Sequence, residues 1–81
     1  MPRISGQTDD DGVLLRIGQA IRSVRLEQNL SQEELADAAG IDRSHMGRIE
    51  RGQRNVTVLN LNRIASALGL DLAQLFSAAS S

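Results

Sequence analysis

Residues 31–51 read SQEELADAAGIDRSHMGRIER, two short amphipathic runs separated by a glycine, and their punctuation decides the fold. Ser31-Gln-Glu-Glu34 has the S-x-x-E form of a capping box, in which the Ser31 hydroxyl accepts from the Glu34 amide and Glu34 reaches back to Ser31. Leu30 and Leu35 flank that box at the spacing of a hydrophobic staple, Leu35, Ala36 and Ala39 form an inward face, and Gly40 stops the helix after about two turns. Asp42 then caps a second helix, with Ile41 and Met46 repeating the staple, Ile49 extending the buried stripe and Gly52 closing it. Where two helices joined by so short a turn cross steeply, their backbones come together at one point. A small residue is therefore needed where they touch, and Ala36 fills that place, while Gly40 takes the turn and Met46 and Ile49 anchor the second helix.

Outward from this pair the same signals recur. Leu14, Ile17, Ile21 and Val24 share a face at the helical period, which predicts a helix from Val13 to Gln28, with Asn29 suited to the left-handed closing position. Thr57 opens a further helix with Leu61, Ile64, Ala65 and Leu68 at i, i+3, i+4 and i+7, and Gly69 closes it. Asp71-Leu-Ala-Gln74 is a D-x-x-Q cap for a last short helix carrying Leu72, Leu75 and Phe76. Residues 1–12, MPRISGQTDDDG, have no apolar period and read as a flexible N-terminal arm. The expectation is an all-α, compact five-helix domain over residues 13–77, followed by a short polar tail, 78–81.

Eighty-one residues suffice for one small domain and exclude a large enzyme. The chain is 41% apolar with one aromatic residue, Phe76, and it has no cysteine and one histidine. A disulfide framework, a thiol nucleophile and a side-chain zinc cluster are thereby excluded, and neither a metal nor a cofactor is expected. Ser44 has no evident base or orienting acid beside it, so no nucleophilic site is expected and the chain does not read as an enzyme. No apolar run approaches the roughly 18 residues of a membrane span, and no signal-peptide pattern opens the chain, so a cytoplasmic protein is expected.

The net charge of −1 conceals a segregation. Residues 1–42 carry a net −4, whereas residues 43–63 carry +4, from Arg43, Arg48, Arg51, Arg54 and Arg63 against Glu50 alone. A solvated charge run is one reading of that segment, and local contact with a polyanion is the other. The outward face of the second helix of the pair is Arg43, Ser44, Gly47, Arg48 and Arg51, with His45 beside them. Arg suits bidentate recognition of phosphate and guanine.

Through LSQEELADAAGIDRSHMGRIERGQRNVTVLNLNRIASALGL, residues 30–70, the chain resembles the phage repressor/Cro type of helix-turn-helix protein, with the likeness extending over about residues 13–77. Within that superfamily IDRSHM followed by IERGQRNVTV is similar to the controller proteins of restriction-modification systems. The resemblance implies a Cro/repressor-like five-helix DNA-binding domain, forming a homodimer that binds double-stranded DNA at a palindromic operator. It also implies the third helix in the major groove, regulation of the protein's own operon by activation or repression, and scope for two dimers on adjacent sites. An antitoxin that autoregulates a toxin-antitoxin operon, and a helix-turn-helix module that binds proteins rather than DNA, are the alternatives. The outward arginines favour DNA over the second of these.

Carried onto this sequence, the family pattern makes Arg43, Ser44 and Arg48 the candidates for reading base edges, because the N-terminal end of the recognition helix enters the groove. Arg43 is otherwise a solvated first-turn arginine, and Ser44 a residue that merely faces water. Gln32, at the start of the second helix, corresponds to a backbone-holding glutamine, and Arg51 flanks phosphates. Arg54 and Asn55 are phosphate candidates in the following loop, where Arg54 has the minor groove as a second option and Asn55 can simply close a turn. His45 is either a partly packed surface residue or a contact to phosphate or thymine. Gly47 suggests a close approach, and Glu50 an internal partner for an arginine. Leu72, Leu75 and Phe76 are core, a dimer interface built on the last helix, or both.

Overall fold

The computed structural model describes residues 11–80, and among them every regular element is helical: α1 Val13–Glu27, α2 Gln32–Ala39, α3 Arg43–Glu50, α4 Val58–Ala67 and α5 Leu72–Ser80. The expected arm lies outside the described residues except for Asp11 and Gly12, and Gly12 stands at the N-cap of α1.

Local chemistry sets each boundary. At α2 the full capping box forms, with Glu34 N–H donating to Ser31 Oγ at 2.9 Å and Ser31 N–H to Glu34 Oε1 at 2.8 Å. That N–H bond, with the Ser31 hydroxyl second, lowers the Glu34 carboxyl pKa below its ordinary value. Thr57 Oγ1 accepts from Asn60 N–H at 3.1 Å to start α4. Asp71 and Gln74 bond reciprocally at 2.8 and 2.9 Å to start α5. Between α2 and α3 the chain reverses through Gly40 at φ 69°, a left-handed conformation in which a Cβ is strained. Asn29 takes the same region at φ 58° between α1 and α2.

The apolar faces converge on one core, in which Ile21, Leu35, Met46, Ile49, Ile64 and Leu75 are fully buried. Helix α1 lies against α3 and α5, α2 packs on both α3 and α4, and α4 meets α5, so α3 is backed by α1 and α2 and keeps one face free. Gly18 makes the first of these contacts possible. A Cβ built there would stand 2.4 Å from Glu50 O and 2.5 Å from Ile49 O, backbone atoms that cannot swing away. Gln28 ties α1 to α4 as well, its Nε2 donating to Leu68 O at 2.7 Å.

Of the polar tail expected over 78–81, residues 78–80 are helical and residue 81 lies outside the described residues. Helix α5 continues through Ser80, and Ala78 and Ala79 are half-buried against the core beside Ala20 and Val24 of α1. Alanine is the strongest helix former, and its small side chain lets α5 lie close to α1, so residues that look like loose ends complete the packing.

Candidate nucleic-acid interface

Asp42 opens the free helix α3. Its Oδ2 accepts from Ser44 N–H at 3.1 Å, from His45 N–H at 3.3 Å and from the Ser44 hydroxyl. The hydroxyl, and after it the His45 N–H, pull the Asp42 carboxyl pKa below its usual value. Ser44 thus has its donor committed to the cap in the free protein, and its oxygen lone pairs remain to accept. Arg43, one residue earlier, is exposed on the first turn.

Five of the eight candidates for DNA contact are brought together. Gln32, Arg43, Ser44, Arg48 and Arg51 line one shallow concavity with Gly47, on the side where α2 begins and α3 turns outward. Its lining holds three arginines and no carboxylate, an arrangement suited to an anion. His45 stands outside it and is half-buried. Arg54 and Asn55 are exposed in the loop between α3 and α4, also outside the concavity. Gly47 sits under other side chains: a Cβ there would be 3.2 Å from Arg51 Nη1 and 3.2 Å from Gln32 Oε1.

Behind the concavity lies a buried ion pair. Arg25 and Glu50 are 8% and 5% exposed, and the guanidinium meets the carboxylate through two bonds, Nε to Oε2 at 2.8 Å and Nη2 to Oε1 at 3.0 Å. Arg25 Nη1 also donates to Leu30 O at 2.9 Å, and Gln32 Nε2 donates to Glu50 Oε1 at 3.2 Å. The Glu50 hydrogen bond raises the Arg25 pKa against the cost of burial. One pair therefore fixes the end of α1, the approach to α2, the Gln32 side chain and the end of α3. Glu50 pairs internally, as its sequence context suggests. Arg25 is the positioning residue behind the concavity that sequence reading did not single out. Its signal was present, because Arg25 follows Ile21 by four residues and Ile17 by eight and so falls on the buried stripe of α1.

The three interface candidates on α5 divide. Leu75 is fully buried in its own core, Leu72 is half-buried, and Phe76 is 40% exposed. Helix α4, packed against α5, begins with two apolar side chains at the surface, Val58 at 65% and Leu59 at 62% exposure. Among the described residues, no helix is long and apolar enough to cross a membrane.

Comparison with known proteins agrees with this geometry. A model of the helix-turn-helix family matches residues 21–75. The control protein C.MunI of a Mycoplasma species is 39% identical over 66 residues, which cover 80% of this chain and 89% of that protein. The restriction-modification controller protein C.AhdI from Aeromonas hydrophila is 46% identical in its crystal structure, with a TM-score of 0.76 over 78% of this chain and 96% of that one. The controller protein C.Esp1396I, crystallised as a tetramer in complex with its natural 35 base-pair operator, is 31% identical, with a TM-score of 0.78 over 84% of this chain and 90% of that one. The chain accordingly belongs to the helix-turn-helix family and, within it, to the controller proteins of restriction-modification systems.

Proposed function

We propose that the protein is a sequence-specific DNA-binding transcription regulator that controls a restriction-modification operon, binding a palindromic operator as a homodimer. The observation that carries this reading is the concavity on the free face of α3, where Arg43, Arg48 and Arg51 gather with Gln32 and no acid. The controller protein crystallised on its operator, with nearly the same backbone, supports the same ligand. Arg43 and Arg48 are the base readers in this account, with Ser44 accepting from a base or leaving readout to its neighbours. Bidentate hydrogen bonding by arginine to guanine O6 and N7 is worth about 1–3 kcal/mol of discrimination. Gln32, His45, Arg51, Arg54 and Asn55 set register on the backbone or in the minor groove, since phosphate contacts position a protein without reading sequence.

A single half-site offers few contacts, and two-fold pairing that sets the recognition helices about 34–36 Å apart supplies the rest. Phe76 and Leu72 of α5, with Val58 and Leu59 of α4, offer the apolar surface for that pairing. The function requires no bond chemistry, and its ligand requires the compartment that holds DNA. The test is selection by the purified protein from a randomised duplex library at two salt concentrations. Enrichment of a two-fold symmetric motif that survives the higher salt is expected. Retention that is blind to sequence and vanishes with salt would reduce the reading to charge attraction.

A further inference from the structure

We propose that Gly47 is a seat that holds Arg51 across the DNA-facing side of α3, so that the Arg51 guanidinium takes one backbone phosphate. The inference rests on the operator-binding reading and deepens it. Glycine within a helix is unfavourable relative to alanine, and something must offset that. The backbone does not demand it: Gly47 is absent from the glycines with positive φ, which are Gly12, Gly40, Gly52 and Gly69. Nor does a neighbouring main chain demand it, in contrast to Gly18, whose absent Cβ would strike carbonyl oxygens. A Cβ at position 47 would meet only side-chain ends, Arg51 Nη1 and Gln32 Oε1 at a tight 3.2 Å and Arg51 Nη2 in ordinary contact at 3.7 Å.

Those two side chains cover Gly47 so well that it is buried on what is otherwise the open face of α3. Arg51 lies just beyond the helix, yet its guanidinium turns back by one helical turn over position 47, with Nε donating to Gln53 Oε1 at 3.2 Å. Gln32 is held from the other side by Glu50 Oε1, which Arg25 fixes in turn. The Arg51 guanidinium and the Gln32 amide oxygen thus meet over one glycine at the mouth of a carboxylate-free concavity, and the guanidinium is the donor there. A larger residue at position 47 would push Arg51 out toward solvent.

The experiment is a double-mutant cycle of Gly47→Ala and Arg51→Ala, measured as affinity for the selected duplex across a salt series, with thermal melting of each variant. Arg51→Ala should lose about tenfold in affinity and about one unit of salt slope per subunit, and Gly47→Ala should lose less of both in the same direction. The double variant should bind no more weakly than Arg51→Ala alone. Losses that multiply would overturn the proposal, as would a Gly47→Ala protein with unchanged affinity and slope. Gly47→Ala should melt at or above the wild-type midpoint, and a lower midpoint would show that the helix rather than Arg51 needs the glycine. In the free protein, nuclear magnetic resonance of the Gln32 side-chain amide and Arg51 Nε should report displacement in Gly47→Ala, and unmoved signals would also overturn the seat. A wild-type protein that retains no duplex refutes operator binding itself, whereas these resonances judge the seat without DNA.

Discussion

Arg25 and Glu50 hold the end of α1, the Gln32 side chain and the end of α3 together behind the basic concavity. Both are buried, and each satisfies the other through two hydrogen bonds, so removing one leaves an uncompensated charge in the core. Arg25→Met or Glu50→Gln should each cost about 3–5 kcal/mol of stability, whereas a paired apolar replacement should recover most of it. Urea denaturation of the two singles and of a variant with methionine at both positions checks this, and a doubly substituted protein that loses the sum of the two single losses would show that the pair is not coupled. Sequence reading anticipated an internal arginine partner for Glu50, because repulsion from phosphate opposes a carboxylate that faces DNA. It did not find the partner: the place of Arg25 on the stripe of α1 marks it as inward, but which acid it meets follows only from how the end of α3 packs on α1.

At the scale of the element, the caps were the most legible features, because each depends on residues a few positions apart and on nothing distant. Ser31, Asp42, Thr57 and Asp71 all cap where their spacing places them. Thr57→Ala should lose about 1 kcal/mol, readable as a lower melting midpoint. The caps at α2 and α3 also carry a pH dependence. Glu34 and Asp42 have folded pKa values below their unfolded ones, so their contribution is complete above the unfolded values of about 4 and is lost as pH falls through the lowered folded values. The melting difference between wild type and Asp42→Ala should therefore be largest near neutral pH and shrink on acidification toward pH 3. A difference that stayed constant would mean that the charge of Asp42 contributes nothing to the cap. The end of α5 was not legible in the same way. Alanine and serine alone give no periodic signal, and what holds Ala78 and Ala79 in a helix is α1, distant in sequence.

For the whole molecule, the division of apolar side chains between core and surface separates folding from assembly. Leu75 belongs to the fold: Leu75→Ala should destabilise by about 2–5 kcal/mol. Phe76→Arg and Leu59→Arg alter side chains already at the surface, and they should leave the melting of a monomer near that of wild type while shifting sedimentation from dimer to monomer and weakening operator binding. Unchanged sedimentation in both variants would place the pairing surface elsewhere. Sequence alone offered Leu72, Leu75 and Phe76 together as one apolar face, since helical period shows which residues share a side but not how deep each one sits. The same limit applied to the basic face. The sequence pattern grouped Arg43, Ser44, Arg48 and Arg51 on one side of a helix, but the approach of Gln32 and the seating of Arg51 over Gly47 depend on how α2 packs against α3.

The central claim is that the N-terminal end of α3 reads bases, and repeating the library selection with Arg43→Ala tests it most directly. The account predicts a motif in which one symmetric pair of positions loses its preference while the remaining positions keep theirs, at an affinity cost of about 1–3 kcal/mol for each lost guanine contact. An Arg43→Ala protein that selects the unaltered motif, or that loses affinity equally for every sequence, would contradict it.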